Sequence, residues 1–213
     1  MQVKEMLEIM ALLSVGADTL TPKAEAVFLR YLNVANINIF NKTASINPDL
    51  ITTAELFTEV GSNMVFLDQK PFMIASVFLD EEPNPLTLIP FIDLILMRRK
   101  FREKTKPRFF TFTKKEIYLY PVEENQTYRV IPLYVPQPQP LEIDTDEADI
   151  PLPVSFHNLL VDEALYYLFL DEEGFKSPQR ALEAKARAME LRSDLISYLY
   201  GNTNQTISTF SNI

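Results

Sequence analysis

His157 is the one histidine in the chain, and it stands beside Phe156 and Asn158 in "PVSFHNLL". A lone imidazole can act as a general base. There is no cysteine, so a nucleophile would have to be Ser155 or a distant serine, with a carboxylate behind the imidazole. No such neighbour is visible, and His157 reads as a structural or surface residue. The run "DEEG" (Asp171 to Gly174) clusters carboxylates, but a metal site needs oxygens that converge on one point. A solvated turn is the simpler reading. Asp144, Asp146 and Asp149 lack the central glycine and closing glutamate of a calcium loop. No catalytic, cofactor or metal set follows from these residues. The four glycines make neither GxGxxG nor GxxxxGK[ST], so no phosphate cradle is expected.

Charge is more informative. The net charge is −9, which disfavours a free-standing DNA binder, because such affinity comes mainly from neutralising phosphates. Yet "RRKFREKTKPR" (98–108) carries seven basic residues against one acidic: Arg98, Arg99, Lys100, Arg102, Lys104, Lys106 and Arg108. "EIDTDEAD" (142–149) carries five acidic residues and no basic one, among them Asp144, Asp146, Glu147 and Asp149. Two solvated loops would look the same, but segregated opposite charges also suit contacts between subunits. The aromatics of "FFTFTKKEIYLYPVEENQTYRVIPLYV" could stack bases beside the basic run. Alternation is also what a half-buried hairpin needs, and packing is the simpler explanation.

These segments need elements to hold them. Val3, Met6, Met10 and Leu13 recur at helical steps, and Gly16 suits the helix end. Thr21 and Pro22 open a second helix that runs to about Phe40, with Val27, Tyr31, Val34 and Asn38 on one face. "TAELFTEV" is short and either helical or extended. "MVFLD" and "FMIASVFLD" have strand length and composition. "PFIDLILMRRKF" is a short helix or a strand. "RFFTFT" and "EIYLYP" make a hairpin, "EENQ" is the next turn, and "TYRVIPLYV" returns. Pro132 places that return strand at an edge or a bulge. Helix resumes from about Val154 to Leu170, and from Ala164 to Leu170 it is apolar nearly all round, so it should be the most buried helix. Ser177 and Pro178 open the last helix. In it, Leu182, Met189 and Ile196 recur at heptad steps beside an exposed flank of Lys185 and Arg192, and Gly201 closes it.

The expected fold is α+β, mainly α. One bundle forms from N-terminal helices (1–62) and C-terminal helices (151–200), with a β-rich antiparallel insertion (63–150) projecting from it. An uncharged tail (201–213) carries Ile207, Phe210 and Ile213. It is either a frayed end or a segment that orders on a partner's groove. "MQVKEMLEIMALL" is too short and too charged for a secretory signal. No apolar run reaches the roughly 20 residues of a membrane span, so a soluble chain is expected, with no membrane partner.

The order of elements resembles the head–tail connector, or adaptor, proteins of tailed bacteriophages, a group that includes podophage tail tubular proteins of the A type. The likeness rests on "KPRFFTF", "IYLYP", "VEENQ" and "YRVIPLYVPQP". It rests also on "DIPLPVSFHNLLVDEALYYLFLDEEG", with Pro151, Pro153, Phe156, His157, Leu159, Leu160 and Ala164 at the family's positions. What the resemblance implies is a structural virion protein, not an enzyme. It would be made in the host cytoplasm and would sit at the head–tail junction, as a ring, typically dodecameric, beneath the portal. Such a ring extends the channel through which double-stranded DNA passes without sequence-specific binding, and supports a neck or tail protein below. The resemblance also implies portal docking by the C-terminal segment, hence by Ile207, Phe210 and Ile213. The alternative is a nucleic-acid-binding accessory protein that uses 98–108.

Overall fold

The computed structural model describes residues 1–16, 20–80, 82–100 and 105–210, with backbone alone at 100 and 202–210. In chain order come α1 (Val3–Val15), α2 (Pro22–Thr43), β1 (Thr52–Thr53), β2 (Leu56–Phe57), β3 (Met64–Phe66), β4 (Pro71–Leu79) and β5 (Thr87–Leu88). Then follow α3 (Phe91–Lys100), β6 (Phe109–Thr113), β7 (Glu116–Tyr120), β8 (Arg129–Pro136), α4 (His157–Asp171) and α5 (Pro178–Phe210). The chain divides into two compact units, Met1–Pro48 with Pro138–Ile213, and Asp49–Gln137. Each has its own core.

The helical unit is one bundle built from both ends of the chain. Its axis is α4, which packs against α1, α2 and α5. Leu159, Leu160, Ala164, Leu165 and Leu168 are fully buried. That follows from the sequence: a helix apolar all round must be surrounded. The caps follow too. Thr21 accepts from the Ala24 amide at 3.3 Å, and Pro22 opens α2. Gly16 ends α1 at φ +67°, its N–H donating to the Leu12 carbonyl at 3.1 Å. Arg180 then donates to the carbonyls of Leu13 and Ser14, so α5 satisfies the open end of α1.

Two helix faces differ from the expectation. On α2 the buried stripe is Phe28, Tyr31, Leu32, Ala35 and Ile39, while Val34 is exposed. Phe28 and Leu32 bury more apolar area than Val27 and Val34, and they turn the helix to suit. On α5 the seam against α4 is Ala181, Ala184, Ala188, Leu195 and Leu199, with Leu182 and Met189 outside it. Alanines let two helices approach closely, and they are quiet in a search for large apolar residues. Arg192, placed on the exposed flank, is instead half-buried against Glu163.

The insertion starts at Asp49 and ends at Gln137, rather than at 63 and 150. Its early strands β1 and β2 have two residues each, too few to show alternation. Residues 138–150 belong to the helical unit because Leu141 and Ile150 are buried in its core. Asn33 also clamps Leu141 from both sides: Oδ1 accepts its N–H at 2.7 Å and Nδ2 donates to its carbonyl at 3.0 Å.

Two sheets form the insertion. One runs β3-β7-β6-β5, with β5 parallel to β6 and the rest antiparallel. The other is centred on β8, paired with β4 along one side and with β1 and β2 along the other. The hairpin β6–β7 is as expected, turning at Lys114 with φ +54°. The return strand is not. β8 leaves the hairpin and joins the other sheet, because β7 is already flanked by β3 and β6. Pro132 is therefore in a central strand. It is tolerated because the partner ladder breaks there: β1 pairs with 133–134 and β2 with 129–130.

Candidate assembly surfaces

His157 is fully buried. Its Nδ1 lies 3.1 Å from the Met1 carbonyl and its Nε2 3.1 Å from the Leu152 carbonyl. The ring lies at the start of α4 between the N-terminal residue and the segment before α4, and as a neutral imidazole it donates to one of the two carbonyls. Burial holds its pKa below the ordinary 6.5, the two carbonyls opposing and the N-terminal ammonium adding to the depression. The folded state thus favours neutral His157, while the unfolded chain takes up a proton near pH 6.5. Stability from this site is present above 6.5 and is lost as pH falls toward the folded value. Melting temperature should fall as pH drops below about 6.5, and His157→Gln should flatten that part of the profile in a thermal scan. Glu147, whose pKa the N-terminal ammonium holds below its ordinary 4.5, acts in a lower window.

The carboxylates of "DEEG" have a structural use. Glu172 accepts from Arg30 at 2.6 Å and from the Tyr31 hydroxyl at 3.2 Å, pinning the end of α4 to α2. Among the described residues, no group of three or more His, Asp or Glu could hold a metal ion. A groove of about 300 Å³ lies over one end of β8, lined by Phe57, Asp80, Glu82, Lys106, Tyr128 and Arg129. Its charges are engaged with one another. Arg129 binds Asp80 at 2.7 Å and Glu55 at 2.8 Å, and Lys106 binds Glu82 at 3.1 Å. Among the described residues, no helix is long and apolar enough to cross a membrane.

The aromatics of the hairpin serve packing. Phe110 and Tyr120 are buried, and Phe112 packs against the same core. Tyr118 meets Phe91 edge-on at 5.4 Å.

The charged segments are surface features held by ordered elements. Arg98 and Arg99 are exposed on the last turn of α3, and Lys100 ends it. Arg108 is exposed at the entry to β6, its N–H donating to the Tyr120 carbonyl at 3.0 Å. Arg102 and Lys104 lie outside the described residues. α3 buries Leu94 fully but leaves Phe91, Ile92 and Leu96 exposed, Ile92 at 60%. Leu88 on β5 is exposed just before them. The basic run is therefore preceded by an exposed apolar surface, which sequence reasoning did not single out. The signal was the continuous apolar "FIDLIL", more apolar residues than a ten-residue helix can bury on one side. On the other unit, Asp144, Asp146 and Asp149 are exposed, and Ile143 is exposed among them. Glu147 already holds the N-terminal ammonium.

The tail departs from its expectation. α5 does not close at Gly201 but continues as helix through Phe210. A single glycine costs a helix only about 1 kcal/mol, and no proline follows it. Ile207 and Phe210 are thus on helical backbone, and Ile213 lies outside the described residues.

A structural reading built on charged and apolar surfaces agrees with the comparison to family models. The model described as SU10 adaptor protein matches residues 1–207. The chain belongs to the SU10 adaptor protein family. It is a phage head–tail adaptor, a structural protein. The adaptor match spans both units, and it ends inside α5, short of Phe210 and Ile213. Among curated proteins, no match to the chain is found.

Proposed function

We propose that this adaptor forms a ring, typically dodecameric, beneath the portal at the head–tail junction. The ring extends the DNA channel and carries the next neck or tail protein. The observation that carries the reading is the family match over nearly the whole chain. Two surfaces support it. A ring contact is heterologous, so one subunit must display two complementary patches. Arg98, Arg99, Lys100, Arg102, Lys104, Lys106 and Arg108 supply a basic one, and Asp144, Asp146, Glu147 and Asp149 an acidic one. The net charge of −9 suits a lumen that lets DNA phosphates slide past. Ile207, Phe210 and Ile213 dock on the portal in this reading.

Mass measurement of the full chain, alone and mixed with portal rings of the same phage, tests the proposal. The full chain should bind as a ring. Serine at Ile207, Phe210 and Ile213 together should abolish portal binding, and Glu at Arg98, Arg99 and Arg102 should block subunit contact. If wild type ignores the portal but shifts duplex DNA at low salt, the accessory-protein reading replaces this one.

A further inference from the structure

α5 has 33 residues and its main partner α4 has 15. At 1.5 Å per residue these are about 50 Å and about 22 Å long. α4 therefore lines only part of α5, and helices of this kind gain most of their stability from a buried face. The face turned away from α4 is not polar. Leu182 is 63% exposed, Met189 58% and Tyr200 54%, with Ile196 half-buried between them. Ala186 and Ser193 fill the alternate positions. The steps 182, 186, 189, 193, 196 and 200 alternate by four and three, the spacing of a coiled-coil seam. At 100° per residue this stripe is centred roughly 125° around the helix from the alanine seam. In the sequence the same steps run on through Thr203, Ile207 and Phe210.

The charges beside the stripe choose its occupant. Glu183 and Glu190 lie on one flank, and Lys185 on the other, exposed with its ammonium 5.3 Å from the Tyr166 ring. Arg192 shares the Lys185 flank but is held by Glu163. When two such helices run parallel and in register, a residue on one flank meets the residue five further along on the partner's opposite flank. That sets Lys185 against Glu190 of a second copy. An antiparallel pairing would set acid against acid. Cyclic symmetry also gives all copies one orientation, so each α5 can offer its basic flank to one neighbour and its acidic flank to the other.

We infer that α5 helices of neighbouring copies pack in parallel through the Leu182–Met189–Ile196–Tyr200 stripe, with Lys185 facing Glu190. The inference rests on the reading that copies of the adaptor associate, and it names the helix that joins them. The stripe then leads along one helix from the subunit contact to the segment assigned to the portal.

Sedimentation of the full chain over a concentration series, alone and with portal rings, tests it. Lys185→Glu and Glu190→Lys should each weaken association about tenfold or more, since each sets like charges together. The double swap should restore it. Met189→Glu should abolish association while helix content by circular dichroism stays unchanged, because Met189 is outside the core. Association that none of these variants alters would overturn the α5 contact and leave the ring reading standing. Failure of the double swap to restore association would overturn the parallel register. A wild-type chain that never associates, even on portal rings, would remove the ring reading itself and this contact with it.

Discussion

Arg192→Met should destabilise the helical unit by about 3–5 kcal/mol. Glu163 is only 4% exposed, on the most buried helix of the bundle. Its carboxylate takes a charged hydrogen bond from Arg192 Nη2, and the Tyr167 hydroxyl reaches it at 3.5 Å. Tyr167 in turn accepts from Asn38 Nδ2 at 3.0 Å. Methionine keeps the stem of the arginine and removes the charge. What remains is an ion without its counter-ion in a place that water reaches poorly. A domain is stable by about 5–15 kcal/mol, so the loss should be visible as a large drop in melting temperature. The pair itself is worth much less than its breakage suggests. Arg192 Nε is buried with no acceptor, so part of the guanidinium is desolvated without compensation. The double variant Glu163→Leu/Arg192→Met should therefore recover most of the lost stability. A double variant as unstable as the single one would show that the cost lies in packing rather than in the orphaned charge.

The same pair marks the limit of what the sequence displayed. "VDEALYYLFL" shows plainly that α4 must be surrounded, because its apolar residues leave no face for water. It does not show which later arginine will meet Glu163, since that depends on the rotation of α5. Rotation is set by Ala181, Ala184 and Ala188, whose small side chains matter for closeness rather than for area. Caps were legible because they are local chemistry: Thr21, Pro22 and Gly16 act on the backbone beside them. The hairpin β6–β7 was legible for the same reason. The path of β8 was not, because alternation reports that a strand is half-buried and says nothing of which sheet buries it. Pro132 looked like an edge marker, but the break between β1 and β2, at Ala54 and Glu55, lies far earlier in the chain. The charged runs could be read directly, and their positions on ordered elements could not. The apolar surface of α3 became visible only when Leu94 proved to be the one residue of "FIDLIL" that is buried.

Gly61→Val should damage the insertion as severely, and leave the helices intact. Gly61 sits at φ +71°, a conformation that a β-branched residue rarely adopts. Its N–H donates to the Gln126 carbonyl at 3.2 Å, tying the β2–β3 turn to the loop that carries the chain from one sheet to the other. A Cβ here would lie 2.6 Å from the Glu124 carbonyl oxygen, which is backbone and cannot swing aside as a side chain would. Strain and overlap together should cost about 3 kcal/mol or more. Gly61→Asn separates the two effects. Asparagine tolerates positive φ but still carries the Cβ, so it should rescue little if overlap dominates. Calorimetry reads the outcome by unit. The cores of 1–48 with 138–213 and of 49–137 share no residue, so two transitions are expected. Gly61→Val should lower the insertion's transition alone, and Arg192→Met the helical one alone. A single transition shifted by both would mean that the units unfold together. The distinction bears on assembly. If the units are independent, an adaptor with a damaged insertion keeps the α5 stripe and the C-terminal segment. It should then still reach the portal while losing the contact proposed for Arg98 and Arg99.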